Sequence, residues 1–315
     1  MSPGVVVDLA AERLYMMSPK GGIDAIGLAS GNLLWTSKAA GKPLAAFDDR
    51  LAAQAEGVGG SNSLPIVLLD TKSGRVISTI AVPMAPGVVP PSIDDRMGAS
   101  SSIEARVTQD GLLVSWTVTS RRVRPIPVPE PVRNDSGAAL INLKTYRVTT
   151  LAADEAAARL RDQTAAVASR LSGTEGLYYP PQPAGGYFVS VKLGPSTAGA
   201  PAVLKRWSAD GTPLPDIDLG PGFVGSSISA DKSLFLAVSR RPAMGAVYVW
   251  SVYTIASGQR EAELRGPDSA ARSFFVWHSI LICRTEGLRG LDLKTGSEIW
   301  KRALRETSYR GSYPS

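Results

Sequence analysis

The stretch GLDLKTGSEIW, residues 290–300, reads as two short strands joined by a polar turn. Asp292 opens the turn, Gly296 closes it, and Trp300 follows four residues on. Side chains on a pleated strand alternate between faces, so in SEIWKRAL Ile299, Lys301 and Ala303 oppose Glu298, Trp300 and Arg302. Gly296 suits the positive φ that reverses the chain, and an Asp at the start of such a turn hydrogen-bonds its amides. The unit is a β-hairpin.

The same pattern recurs along the chain. AIGLASGNLLW (25–35) carries Gly31 and Trp35, and IVLLDTKSGRVISTI (66–80) carries Asp70 and Gly74. AVYVWSVYTIASGQREAEL (246–264) turns at Gly258, AVLKRWSADGTPLPDI (202–217) at Gly211, and AALINLKTYRVTTL (138–151) has Tyr146 where the Gly would stand. Most copies follow two further strand-like runs, as in ARSFFVWH, SILICRTEG, LRGLDLKTG, SEIWKRAL at residues 271–304. Four meandering strands repeated at roughly 40 residues are the period of a β-propeller blade. One blade cannot bury both its faces, so blades stack around an axis. The expected fold is therefore all-β, a single domain over 1–315 with six four-stranded blades, or seven if an insertion hides a further unit. The first and last copies then meet where the ring closes.

Ala-x-Asp-x-x-x-Gly-x-x-x-Trp resembles the signature of the quinoprotein-like (PQQ-like) propeller repeats. GLDLKTGSEIW matches it through Asp292, Gly296 and Trp300, with Gly290 in the Ala position; AIGLASGNLLW matches through Ala25, Gly31 and Trp35, with Gly27 where Asp belongs. The middle copies keep Asp70 and Gly74 without the Trp, and WD-like repeats compete with this resemblance. The resemblance implies the non-enzymatic, scaffold type. Quinone-dependent members usually have a larger propeller, a calcium site and often a disulfide between adjacent cysteines, which a chain with one Cys cannot form. Trp35 and Trp300 are expected to pack between adjacent blades, with ligand stacking the alternative.

Three segments break the period. Residues 83–102 and 120–137 are Pro-rich loops; the second carries Arg121, Arg122, Arg124 and Arg133, a candidate surface for a partner. The alternative for it is a solvated hairpin extension. Residues 152–173 contain an amphipathic helix, Asp154 to Gly173, with Leu160, Thr164, Val167 and Leu171 on one stripe. That helix is expected to pack on the propeller rim.

The chemistry available is thin. One Cys, Cys283, excludes a disulfide framework or CxxC site, and one His, His278, excludes a multi-histidine site. The carboxylate pairs of FDDR (47–50) and IDDR (93–96) sit at turns, where Asp is common without a metal. Neither GxSxG nor a phosphate-loop or dinucleotide motif occurs. No catalytic, cofactor or metal residue is therefore assigned. A net charge of +6 with scattered basic residues argues against nucleic acid. No run of about 18 apolar residues offers a transmembrane helix. As written the chain is cytoplasmic; a leader or anchor removed ahead of Met1 would place it in the cell envelope or periplasm. The expected function is a non-catalytic scaffold that binds protein partners in a larger assembly. The competing class is an enzyme (dehydrogenase, lyase or hydrolase) or small-ligand binder using the axial funnel.

Overall fold

The computed structural model describes residues 4–55, 63–84, 93, 100–120, 133–152, 155, 164–171, 173–174, 176–194, 201–229, 231–241, 247–266, 273–284 and 287–304. They form six four-stranded antiparallel sheets, each a meander in chain order, which is the blade architecture of a six-bladed β-propeller. Blade 1 contains β1 (Val5–Asp8), β2 (Arg13–Met17), β3 (Ile23–Gly27) and β4 (Leu33–Ser37). Blade 2 contains β5 (Ala40–Phe47), β6 (Arg50–Ala55), β7 (Ser63–Asp70) and β8 (Val76–Pro83). Blade 3 contains β9 (Ser100–Thr108), β10 (Gly111–Ser120), β11 (Arg133–Ile141) and β12 (Val148–Leu151). A helix, α1 (Thr164–Leu171), precedes blade 4, which contains β13 (Gln182–Ala184), β14 (Tyr187–Leu193), β15 (Ala202–Ser208) and β16 (Pro213–Gly220). Blade 5 contains β17 (Phe223–Ile228), β18 (Leu234–Arg241), β19 (Val247–Thr254) and β20 (Arg260–Arg265). Blade 6 contains β21 (Ser273–Trp277), β22 (Ile280–Arg284), β23 (Leu288–Asp292) and β24 (Glu298–Arg302).

The chain divides into two compact units. One holds residues 3–28, 32–160 and 304–315, and with them blades 1–3; the other holds residues 1–2, 29–31 and 161–303, and with them blades 4–6. Within the first unit β5 packs against β1 and β9, and within the second β17 packs against β21. The first strand of each of these blades is thus its inner edge and the last strand its outer one.

Burial follows that order. Second strands are buried on both faces: Leu51 to Gln54 of β6 and Phe235 to Ser239 of β18 are buried without a break. A strand covered by a neighbouring blade on each side has no polar face to keep. The outer strand β8 alternates instead, with Ile80 and Val82 buried while Thr79 and Ala81 are exposed. The cores lie between blades. One cluster joins Leu64, Ile66 and Leu68 of blade 2 to Leu112, Val114 and Ile141 of blade 3. Another joins Leu236, Val238 and Trp250 of blade 5 to Phe274, Leu281 and Cys283 of blade 6. Each fully buried Leu or Ile contributes about 2 kcal/mol of transfer free energy.

The excursions are shorter than the expected 83–102 and 120–137. Pro83 ends β8, and β9 has begun by Ser100. In blade 3, Ser120 pairs with Arg133 and Trp116 with Gly137, so Arg133 to Gly137 are strand rather than loop. Prolines exclude pairing only where they stand, and the last of that run is Pro131. Gly137 has a packing reason: a Cβ there would lie 2.3 Å from Trp116 Cζ2. Of the expected helix, the stretch 156–163 lies outside the described residues, and α1 is its second half.

Candidate functional site

Each blade's outermost hairpin turn is a small machine built from its sequence. In blade 2, Asp70 Oδ1 accepts bonds from the Lys72 and Ser73 amides and the Ser73 hydroxyl, and the Gly74 amide donates to the Asp70 carbonyl at 2.8 Å. Asp292 does the same with Lys294, Thr295 and Gly296. Asn142 replaces the carboxylate in blade 3, accepting from Lys144 and Thr145, and Tyr146 takes the Gly position at φ 58°. Bonds from the Ser73 hydroxyl and amide hold the Asp70 carboxyl below the usual range, and bonds from the Thr295 amide and hydroxyl do so for Asp292. In blade 4 the Ser208 hydroxyl and the Thr212 amide hold Asp210 down at about 2.

A side chain from outside the blade covers each turn. Trp35 of blade 1 lies on Gly74, where a Cβ would stand 2.5 Å from its Cε3, and Trp35 Nε1 donates to the Thr71 carbonyl at 2.9 Å. Arg13 donates to the same carbonyl at 2.6 Å. Tyr15, whose ring is 5.7 Å from Trp35, is fully buried, and burial pushes its phenol up to about 12. Arg50 of blade 2 donates to the Leu143 carbonyl at 2.9 Å, with its guanidinium 5.9 Å from the Tyr146 ring centre. Arg206 of blade 4 donates to the Ile255, Ala256 and Pro215 carbonyls at 2.6, 3.0 and 3.0 Å, beside Gly258. Burial lowers the pKa of that guanidinium. Trp300 lies on Gly31, and Arg302 Nε donates to the Gly31 carbonyl at 2.7 Å. Leu264 of blade 5 approaches Gly296, while Gly211 of blade 4 is met by Val167 and Leu171 of α1.

The repeat residues singled out by sequence therefore fall into one structural system. Gly31, Gly74, Gly211, Gly258 and Gly296 all have positive φ; Asp70 and Asp292 organise turns; Trp35 and Trp300 cover them. The covering arginines, Arg13, Arg50, Arg206 and Arg302, were not picked out. Arg206 left a signal, a cation on the strand face that also carries Ala202 and Leu204.

The other candidates are dispersed. Arg121, Arg122 and Arg124 lie outside the described residues, and Arg133 opens β11. His278 is an exposed residue of the β21–β22 turn at φ 51°, edge-on to Trp277. Cys283 is fully buried. Asp48 and Asp49 make the β5–β6 turn, with Asp49 paired to Lys72 at 3.2 Å; of IDDR, 94–96 lie outside the described residues. Among the described residues no three His, Cys, Asp or Glu side chains gather into a metal-holding group, and no helix is long and apolar enough to cross a membrane.

Two places carry chemistry that the turns do not use. Lys42 of β5 is half-buried opposite the buried Gln54; desolvation lowers its pKa, and the Glu104 charge of β9 partly opposes that. In the other unit, Tyr178 is 59% exposed, its ring edge-on to Tyr179 and Phe223. The Tyr179 and Ser226 hydroxyls are 2.9 Å apart.

On the outer edge, four blades share a bulge just past the turn. Leu34, Ile77, Glu261 and Ile299 are the extra residues of β4, β8, β20 and β24. Leu33, Leu34, Val76 and Ile77 are between 43% and 51% exposed.

No protein family's sequence profile matches this chain, and no curated protein matches it. Among solved structures, the computationally designed protein Ika8 is similar over 97% of this chain and 89% of that chain, at 11% sequence identity and a TM-score of 0.39.

Proposed function

We propose that this chain is a non-catalytic β-propeller scaffold that binds protein partners in a larger assembly, of the kind the quinoprotein-like repeat resemblance implies. One observation carries the reading: the ligating and stacking residues of the repeat motif, and the one thiol, are engaged in the framework. Asp70, Asp210 and Asp292 accept turn amides, Trp35 and Trp300 cover glycines, and Cys283 lies in an interblade core. What remains for recognition is surface carried on a rigid frame, as in scaffolds whose loops and edges engage partners.

Affinity capture of the tagged full chain from its own cells tests this. A stoichiometric protein partner supports the scaffold; recovery of the chain alone overturns it. Charge reversal at Arg121, Arg122, Arg124 and Arg133 reports whether that basic segment is the interface. Loss of the partner places the interface there, and retention places it elsewhere on the frame.

The inner-edge Lys42 favours a second reading, a site for a small anionic ligand. A lysine with lowered pKa beside buried Gln54 offers a partly desolvated donor. A thermal-shift screen of carboxylates and phosphates against wild type and Lys42→Gln tests it. Stabilisation of wild type alone supports the site, and equal or absent shifts remove it.

A further inference from the structure

The chain has ten lysines, and the structure describes all of them. Only Lys42 and Lys205 are half-buried; the others are exposed. Lys205 Nζ meets the Asp216 carboxylate. Lys42 differs from it. Among the described residues no hydrogen bond or ion pair reaches its ammonium, and the Glu104 carboxylate, whose own ion pair is with Arg106 at 3.9 Å, acts on it only at longer range.

The backbone holds the amine in that position. Strand β5 pairs with β6 through two bulges, with Gly41 and Leu44 as the extra residues, so Lys42 and Pro43 stand between them. Bulges bend a strand and re-aim the side chains beside them. Cross-strand partners share a face, so Lys42, Gln54 and Ile66 lie on one side of blade 2. Gln54 is buried, and Ile66 belongs to the core between blades 2 and 3. The lysine stem runs along the border of that core, and its end group gives up part of its water.

Partial desolvation without a bonded counter-charge penalises the ammonium and favours the neutral amine. The neutral amine is the nucleophilic form, and near neutral pH an ordinary lysine holds only about one part in a thousand of it. Acylation converts the amine into an uncharged amide, which relieves a poorly hydrated charge. An aldehyde or ketone would form an imine, which water reverses unless a closed pocket excludes it. An amide persists without one.

We propose that Lys42 Nζ is a modification site for activated acyl groups, supplied by an acyl phosphate or an acyl thioester. The deprotonated Nζ forms a bond to the acyl carbon, and the bond from that carbon to the phosphate oxygen or thioester sulfur breaks. The leaving group takes that electron pair, and the proton that Nζ sheds passes to water. This goes beyond the small-anion reading, since the reaction uses the neutral amine whereas holding an anion uses the ammonium.

The test incubates the full chain with acetyl phosphate or with acetyl-coenzyme A and follows each lysine by peptide mass spectrometry. Lys42 should be acetylated at least about threefold faster than the exposed Lys192 and Lys232, because more of it is neutral. Its rate should level off at a lower pH than theirs. The donor that achieves this is the source of the acyl group. Glu104→Gln removes a charge that favours the ammonium, and should speed Lys42 about twofold while leaving Lys192 and Lys232 unchanged. The chain acetylated at Lys42 should melt no lower than the unmodified one. Acetylation of Lys42 no faster than the exposed lysines, or with the same dependence on pH, overturns the site. Stabilisation by inorganic phosphate that Lys42→Gln abolishes, without preferential acetylation, does so while leaving the small-anion reading intact.

Discussion

At the Gly74 turn the covering group is Trp35, a rigid apolar ring with a single donor; at the Gly258 turn it is Arg206, a flexible cation whose guanidinium meets three carbonyls. The geometry of the turns is the same, with φ of 69° and 78° at the two glycines and amides of Gly74 and Gly258 both donating four residues back at 2.8 Å. The two solutions therefore differ in how they stabilise one backbone. Trp35 does it by excluding water from Gly74 and adding one hydrogen bond to Thr71. Arg206 does it by donating to the Ile255 and Ala256 carbonyls of the turn and to the Pro215 carbonyl of its own blade, at the cost of desolvating its charge. A repeat of this kind constrains the task at each junction and leaves the residue type open.

The comparison breaks most directly at Arg206. Arg206→Ala leaves the Ile255, Ala256 and Pro215 carbonyls without their donor and should cost about 4 kcal/mol in urea unfolding of the full chain. Arg206→Lys should recover less than half of that, because a point ammonium lacks the planar fork. A loss under 1 kcal/mol for Arg206→Ala would mean that packing alone holds that junction.

Glycine substitutions separate ring from guanidinium. Gly74→Val sets a branched side chain at positive φ against an aromatic ring and should cost about 3 kcal/mol. Gly258→Val strains the same positive φ and drives the Arg206 guanidinium, 2.6 Å away, off its three carbonyls, so about 4 kcal/mol is expected. The reverse order in urea midpoints would show that the Trp35 ring is the more rigid cover. Trp35→Phe keeps most of the ring's contact and loses only the bond to Thr71 O, which Arg13 still occupies; about 1 kcal/mol is expected from the same melts.

The smallest effect is that of pH. The Asp70, Asp210 and Asp292 carboxyls sit below their ordinary value, so their contribution is fully present above about pH 4 and is lost as pH falls through their folded values, about 2 for Asp210. Asp70→Asn with Asp292→Asn should flatten stability against pH in that acid window and lower it modestly at pH 7, where the wild-type carboxylates are fully ionised. Blade 3 already carries Asn142 and supplies the natural control. A variant still as acid-sensitive as wild type would assign the acid loss to other groups.

Much of the fold was legible because a blade is a local object. The turn Asp, the Gly and the strands on either side are consecutive, and alternation in SEIWKRAL already set its exposed Ile299 and Lys301 opposite its buried Trp300. The Trp of the motif was legible as a packing residue for the same reason. The covering arginines were not, since Arg50 and Leu143 are 93 residues apart and Arg206 and Ile255 49 apart. The outer-edge bulge was hidden for a different cause. A bulge at Leu34 leaves Leu33 and Leu34 about half exposed, and nothing in LLW announces a bulge.

The amino-acid sequence by itself determined the blade: hairpin turns whose Asp or Asn accepts the amides of the next residues, and strands whose alternation places one face inward. Those are short-range interactions, written within a dozen residues. Only the tertiary structure decided which side chain covers each turn, where α1 settles on Gly211, and that blades 1 and 2 leave aliphatic pairs in solvent where blade 5 has Arg and Glu. Those outcomes depend on which residues stacking brings together across the junctions, and no spacing along the chain encodes that directly.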